Sequence, residues 1–167
     1  MTEKTRTKLD NFILENPEEY RGFVKELAEY AISLGYNPKF QKNISCVDFI
    51  KSKNGRTIMK IYANCNPHGL ASDGKPHLRI RFDGLPICTG LFEEAAKLCH
   101  SVCMAHCNSQ SNCNRANAIK YTLSDNSVVL GTCQQIRDIP KYNIEDLPLI
   151  KESLKIQDAY LMELYAT

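Results

Sequence analysis

The sequence lacks any apolar run that approaches the roughly 20 residues a helix needs to cross a bilayer. Its opening residues, MTEKTRTKLDNF, are charged and contain no apolar stretch of the kind found in signal peptides. We therefore expect a cytoplasmic protein with no membrane partner. Because the cytosol keeps thiols reduced, we do not expect the cysteines to form structural disulfides.

Also absent are the short motifs that mark common enzyme classes. The sequence contains no Walker loop, no G-x-G-x-x-G, no G-x-S-x-G and no H-E-x-x-H. Aspartate and glutamate are scattered, and no spacing singles out a general acid–base pair. A nucleophilic Cys/His pair stays open, since such partners meet in space and not in sequence. These absences favour a binding or adaptor module over an enzyme.

The composition is that of an ordinary soluble domain. The net charge of +2 is too small to imply a nucleic-acid partner by itself. The 167 residues are 43% hydrophobic and 24% charged, with no internal repeat, linker or low-complexity segment. We expect a single domain over residues 1–167 that has enough core to fold without disulfides.

Two helices are predicted at the N-terminus. Residues 2–15 have an amphipathic pattern, and we expect them to form a helical appendage over 1–15. A second helix is expected after Asn16, which can act as its N-cap, with Pro17 at the first helical position. Apolar residues then recur at helical spacing until Gly35, which supplies the stop.

The middle of the chain has the pattern of β-strands. Residues 46–65, CVDFIKSKNGRTIMKIYANC, predict a hairpin that turns at Asn54-Gly55, because both residues tolerate positive φ. A further strand is expected over 76–82, PHLRIRF, in which every second residue is apolar.

The second half alternates between helical and extended patterns. A helix is expected from about 91 to about 106, and residues 118–133 predict a hairpin that turns at Asp125-Asn126. Residues 143–164 predict a closing helix, in which Pro148 is tolerated only within the first turn. This order of elements predicts an α+β fold, an antiparallel sheet with helices packed on one face.

Four phrases of the sequence resemble the YdhG/YjbR-like group of small bacterial proteins. They are LAEYAISLGYNPKF, GRTIMKIYA, PHLRIRF and NIEDLPLIKESLKIQDAY, and the resemblance covers roughly residues 20–163. It implies a frataxin-like fold and a bacterial cytosolic protein, and it carries no catalytic residues over. The cysteine-rich segment departs from the plain form of that group, so we expect it to form an added lobe.

Four of the eight cysteines lie in residues 98–113, LCHSVCMAHCNSQSNC. In a reducing compartment such a density indicates metal binding or redox work. On a helix, Cys103 and Cys107 lie one turn apart, about 5.4 Å, which a metal can bridge with two thiolates. Cys99 and Cys107 lie about 12 Å apart on a regular helix, too far for one tetrahedral ion. The helix should therefore supply two ligands.

The other two ligands are predicted on the loop and the second hairpin. A two-residue turn at Asp125-Asn126 would pair Ala118 with Cys133 and place Cys133 at the open end of the hairpin. Cys113 lies five residues before Ala118, so it can reach the same point. We expect a structural zinc ion on Cys103, Cys107, Cys113 and Cys133, within a cysteine-rich segment over 99–133.

Other interpretations of these residues stay open. Cys99 fits an apolar helix stripe and can simply belong to the core; the stripe consists of Leu91, Ala95, Leu98, Cys99, Val102, Cys103 and His106. His100 or His106 could replace one thiolate. An iron–sulfur cluster or a thiol redox centre would use the same cysteines. Cys65 and His68 could hold a second metal ion, whereas Cys46 and Cys88 have the apolar neighbours of buried thiols.

A basic strand face is the remaining candidate site. Strand alternation places Lys75, His77, Arg79 and Arg81 in one row, and residues 51–56, KSKNGR, could extend it. Such a row is either a solvated surface or a contact for an anion or nucleic acid. Our overall expectation is a zinc-stabilised module whose partner is an unidentified protein. The alternatives are an iron–sulfur or redox protein and a nucleic-acid-binding zinc module.

Overall fold

The computed structural model describes residues 1–52, 55–63, 74–107, 119–131 and 136–164, except for the side chains of 102–107. It contains four α-helices and a five-stranded antiparallel sheet, so the predicted α+β class is confirmed. Within those ranges, no helix is long and apolar enough to cross a membrane.

Two helices open the chain, as predicted. α1 spans Glu3–Leu14, and α2 spans Glu18–Ser33. The expected capping of α2 by Asn16 is wrong, because Pro17 occupies the N-cap position without a side-chain hydrogen bond. The Asn16 side chain instead donates to the Phe12 carbonyl at 2.7 Å and closes the end of α1. Phe12 belongs to the main buried cluster, so α1 shares the core with the sheet.

The five-stranded sheet has the order β1-β2-β3-β4-β7, and all its neighbours are antiparallel. Its first four strands are β1 (Asn37–Phe40), β2 (Cys46–Lys51), β3 (Arg56–Tyr62) and β4 (His77–Ile80). The predicted first hairpin is confirmed as β2 and β3. Its two-residue turn is not, because Lys51 pairs with Arg56 and leaves four residues between the strands.

Three further elements follow the first four strands of the sheet. α3 spans Leu91–Cys107, and the second hairpin consists of β5 (Lys120–Thr122) and β6 (Val128–Leu130). β7 (Arg137–Asp138) then returns to the main sheet and pairs with β4. This two-residue strand was not predicted, because a period of two cannot be recognised in so short a segment.

The closing helix is α4, Leu147–Leu164, and Pro148 lies in its first turn as predicted. A 3-10 turn over Ile144–Asp146 leads into it. The Asn143 amide donates to Asp146 Oδ2 at 2.7 Å across this turn, which satisfies a backbone N–H group that would otherwise lack a partner.

The two faces of the sheet have opposite character. The pairing registers place Val47, Phe49, Met59, Ile61, Leu78 and Ile80 on one face, where all are buried. They form one apolar cluster with residues of α2 and α4, such as Leu27 and Leu154. α2 contacts β1 and β2, and α4 contacts β3. The opposite face carries the polar row of β4, and α3 reaches the sheet at its β7 edge.

Candidate functional site

α3 carries three of the candidate metal-binding cysteines in its last three turns. Gly90, at φ +53, turns the chain into the helix, and its carbonyl accepts from the Glu93 amide at 3.1 Å. Cys99 is buried, as expected for a core residue. Cys103 and Cys107 belong to the same continuous helix, one turn apart. Their side chains lie outside the described part of the chain, as does that of His106.

The predicted stripe of α3 needs one correction. Leu98 was placed on the buried side, but 40% of it is exposed. The buried positions are instead Leu91, Phe92, Ala95, Ala96 and Cys99. Phe92 belongs to the buried face, where its ring packs against Phe82 with centroids 5.3 Å apart.

The remaining predicted ligands, Cys113 and Cys133, lie outside the described residues, as do Cys65 and His68. Within the described residues, no group of three or more His, Cys, Asp or Glu side chains could hold a metal ion. The side chains of the four predicted zinc ligands are not among those described residues.

Cys46 and Cys88 are buried thiols, as predicted. Burial is the largest cause that raises the pKa of Cys46 to about 12, and its Sγ donates to Asp48 Oδ1 at 3.6 Å. Burial likewise raises the pKa of Cys88 to about 11. A metal ligand or nucleophile must be a thiolate, so these two cysteines are poorly suited to either task.

Two side chains of α3 attach the β5–β6 hairpin to the helix. Near the start of α3, a carboxylate oxygen of Glu93 accepts from the Ser124 amide at 3.3 Å and from the Ser124 hydroxyl at 2.5 Å. Seven residues later, His100 Nδ1 lies 3.0 Å from the Leu130 carbonyl oxygen. The hairpin therefore runs alongside α3, with its tip at Glu93 and its open end directed toward the C-terminal end of the helix.

The register of this hairpin differs from the prediction by one residue. Tyr121 pairs with Val129, and the Leu123 amide donates to the Ser127 carbonyl. The loop thus has three residues, Ser124 to Asn126, and Asn126 adopts the left-handed conformation at φ +65. A type I turn followed by a left-handed residue is a common three-residue hairpin loop. The predicted two-residue turn is therefore wrong, and the pairing of Ala118 with Cys133 loses its basis; both of those residues lie outside the described part of the chain.

The open end of the hairpin is tightly defined. The Gly131 amide donates to the Ile119 carbonyl at 2.7 Å, one step beyond the β5–β6 ladder. A Cβ at Gly131 would lie 2.5 Å from Tyr121 Cε2, so only glycine fits against this buried ring. The chain segments that carry Cys113 and Cys133 leave from this fixed pair of residues.

The predicted basic face does not form an open row of cations. His77 Nε2 lies 2.7 Å from Asp138 Oδ1, and Arg79 Nε lies 3.1 Å from the same oxygen. Lys75 Nζ donates to the Tyr142 carbonyl at 3.2 Å. Arg81 lies beyond the end of β4, and it is buried against Asp83 with its Nε 3.0 Å from Oδ1.

Sequence reasoning missed the two features that organise these sites. Asp138 contacts His77 and Arg79 of β4, but it lies in the unpredicted β7. The link between His100 and Leu130 was missed because His100 was considered only as a metal ligand. The alternating basic residues of β4 could have indicated the carboxylate of Asp138. A row of partly buried basic side chains needs an acidic partner, which a neighbouring strand can supply.

Comparison of the chain with protein-family models, with curated proteins and with solved structures found no match.

Proposed function

We propose that the protein is a small cytoplasmic binding or adaptor module whose lobe, residues 99–133, is stabilised by a structural zinc ion. The proposed ligands are Cys103, Cys107, Cys113 and Cys133. A closed set of four thiolates leaves no open position on the metal, so the ion holds structure and performs no hydrolysis. We propose an unidentified protein as the partner of this module.

One observation carries the proposal: the two-point attachment of the hairpin to α3 directs its open end toward the C-terminal end of the helix. Cys107 lies seven residues beyond His100, about 10.5 Å along the helix axis. Cys133 lies three residues beyond Leu130, a reach of about 10 Å for an extended chain. Cys133 is thus within chain reach of the last turn of α3.

The same attachment supports Cys113 as the fourth ligand. Cys113 lies six residues before Ile119, which pairs with Gly131 at the open end of the hairpin. Six residues span at most about 20 Å, so Cys113 can reach the end of α3 from there. A metal cross-link would tie together a segment rich in polar residues, which has few side chains to form a core of its own.

We further propose that the domain has the frataxin-like arrangement of the YdhG/YjbR-like group. The five-stranded antiparallel sheet, with α2 and α4 against its apolar face, supports this assignment. In this view α1 and the cysteine-rich lobe are elaborations of a common sheet-and-helix frame.

The nucleic-acid alternative has less support. The basic side chains of residues 75–81 all contact acceptors of the protein itself, and Arg81 is buried. A cation that already neutralises a carboxylate contributes little to the counterion release on which phosphate binding depends.

The first experiment is elemental analysis of protein purified without a histidine tag, together with a count of reactive thiols. We expect about one zinc per chain and four thiols that become reactive only after a chelator is added. Iron with visible absorbance would instead establish the iron–sulfur alternative. Metal-free protein with those four thiols reactive would refute the proposal.

Cysteine variants then test the ligand set. Cys113→Ser or Cys133→Ser should release the metal and lower the free energy of unfolding by on the order of several kcal/mol, because metal binding is coupled to folding. Cys46→Ser is the matched control and should keep the full metal content, since that side chain is buried beside Asp48. If Cys113→Ser keeps full metal and full stability, the ligand set is wrong.

A further inference from the structure

His100 occupies the point where α3 meets the open end of the hairpin. Its Nδ1 lies 3.0 Å from the Leu130 carbonyl oxygen, which can only accept, so Nδ1 carries the proton and donates it. The next residue, Gly131, closes the hairpin by its bond to Ile119. This one side chain therefore fixes both strands where they lead to Cys113 and Cys133.

The position of His100 on α3 adds to this geometry. Cys103 is three residues further along the same helix, about 4.5 Å along the axis, and Cys107 is seven residues further. In an α-helix, positions separated by three and seven residues share one face. The face of α3 to which the hairpin is attached at His100 thus continues through positions 103 and 107.

We propose that His100 is a positioning residue of the metal lobe: its Nδ1–H···O=C bond to Leu130 holds the hairpin ligands beside the helix ligands. This inference rests on the proposed zinc site. The bond restricts the distance between the two halves of the ligand set before metal binds, so less conformational entropy is lost on binding. Groups that orient metal ligands without touching the ion typically contribute 10- to 100-fold to affinity.

Replacement of His100 by alanine removes the bond and leaves all four thiols in place. We expect His100→Ala to raise the zinc Kd about 10- to 100-fold in competition with a chromophoric chelator. At saturating zinc the stoichiometry should remain one ion per chain. The absorption spectrum of the cobalt-substituted variant should match that of the wild type, because the ligands are the same.

Replacement by asparagine separates positioning from ligation. The asparagine amide nitrogen can take the place of Nδ1 and donate to Leu130, but the side chain has nothing in place of Nε2. We therefore expect His100→Asn to recover most of the zinc affinity that His100→Ala loses. If both variants lose metal equally and the cobalt spectrum shifts, His100 is a ligand and the positioning role is refuted.

Glu93→Ala is the matched control, because it removes the other attachment of the hairpin, at the tip. Glu93 lies about 10.5 Å along α3 from His100, away from the proposed ligands. We expect this variant to lower the free energy of unfolding but to raise the zinc Kd much less than His100→Ala does, because the His100 bond still holds the open end of the hairpin. Equal weakening of zinc binding by Glu93→Ala and His100→Ala would overturn the specific role of His100, as would a His100→Ala Kd equal to that of the wild type.

The zinc content of the wild type distinguishes failure of the proposed function from failure of this inference. A protein that binds no metal refutes the proposed function and this inference with it. A protein that binds one zinc, with a Kd unaffected by His100→Ala, refutes only this inference.

Discussion

Asp138 is the carboxylate that ties the short strand β7 to the sheet, and its removal should destabilise the protein measurably. It accepts contacts from His77 Nε2 at 2.7 Å and from Arg79 Nε at 3.1 Å, both side chains of the neighbouring strand β4. The Nε–H bond of Arg79 does not point at the Asp138 oxygen, so this contact is an ion pair. The His77 contact is shorter and has the length of a hydrogen bond. Asp138→Ala removes both contacts and leaves the side chains of His77 and Arg79 facing an alanine, which has no oxygen to contact them.

The expected cost follows from the degree of burial. Exposed ion pairs contribute about 0.2–1 kcal/mol, whereas the loss of one partner of a fully buried pair costs about 3–5 kcal/mol. The Asp138 side chain is 29% exposed and that of Arg79 is 13% exposed, so this pair lies between those limits. We expect Asp138→Ala to lower the free energy of unfolding by about 1–3 kcal/mol, discounted for partial solvent screening.

The assay is urea denaturation of the wild type, Asp138→Ala, Arg79→Met and the double variant. A double-mutant cycle isolates the coupling between the two side chains from their other contacts. The matched control is the cycle for Glu94 and Lys141, whose atoms are 3.9 Å apart at side-chain exposures of 54% and 81%. We expect a coupling of about 1 kcal/mol for the first pair and almost none for the second. Equal coupling in the two cycles would refute the assignment of Asp138 as the carboxylate that holds β7.

Two further predictions concern the buried thiols and the second hairpin. Because burial raises the pKa of Cys46 from 9.0 to about 12 and that of Cys88 to about 11, both thiols should resist alkylation at about pH 8 in the folded protein and react after unfolding. Peptide mapping by mass spectrometry measures this, and rapid labelling of Cys46 in the native state would contradict it. Since the folded pKa is the higher one, the contribution of Cys46 to stability is complete below its ordinary value of 9.0 and is lost as the pH rises toward 12. Asn126 adopts φ +65, so Asn126→Val should lower the free energy of unfolding by about 1–2 kcal/mol, while Asn126→Gly should remain near the wild type. Thermal unfolding of the three proteins compares them, and an unchanged midpoint for Asn126→Val would show that the turn is not strained.

The elements with many periodic residues were predictable from the sequence. α2 has six buried residues at helical spacing, which no other local structure explains. The β2–β3 hairpin was recognisable from its β-branched and aromatic residues. In both elements many side chains indicate the same structure, so a single misjudged residue does not change the prediction.

The errors arose where one or two residues decide the geometry. The hairpin register depends on whether the turn at Asp125-Asn126 has two or three residues, and both kinds accept Asn at a left-handed position. Arg81 follows the alternation of β4, but it is buried and forms an ion pair with Asp83. The loop length and the burial of Arg81 depend on contacts between particular side chains. A periodic pattern of apolar residues gives no information about those contacts.

For the candidate site, the sequence indicates only the residue types, and the zinc assignment stays a prediction. The density of cysteines indicates a metal site, and the burial of Cys46, Cys88 and Cys99 leaves the other cysteines as the candidates. How the hairpin is attached to α3 could not be read from the sequence, because His100 and Leu130 are 30 residues apart and follow no pattern.

The strand order of the sheet has a consequence for how the protein folds. β1 to β4 pair with their neighbours in sequence, whereas His77 of β4 meets Asp138 of β7 across a separation of 61 residues. Contacts between distant parts of a chain close large loops. We therefore expect strands β1 to β4 to pair first and β7 to dock late. The Ile139 amide donates to the Leu78 carbonyl at 2.9 Å, and this bond exists only when β7 is docked. Its exchange with solvent deuterium therefore reports how often β7 detaches from β4.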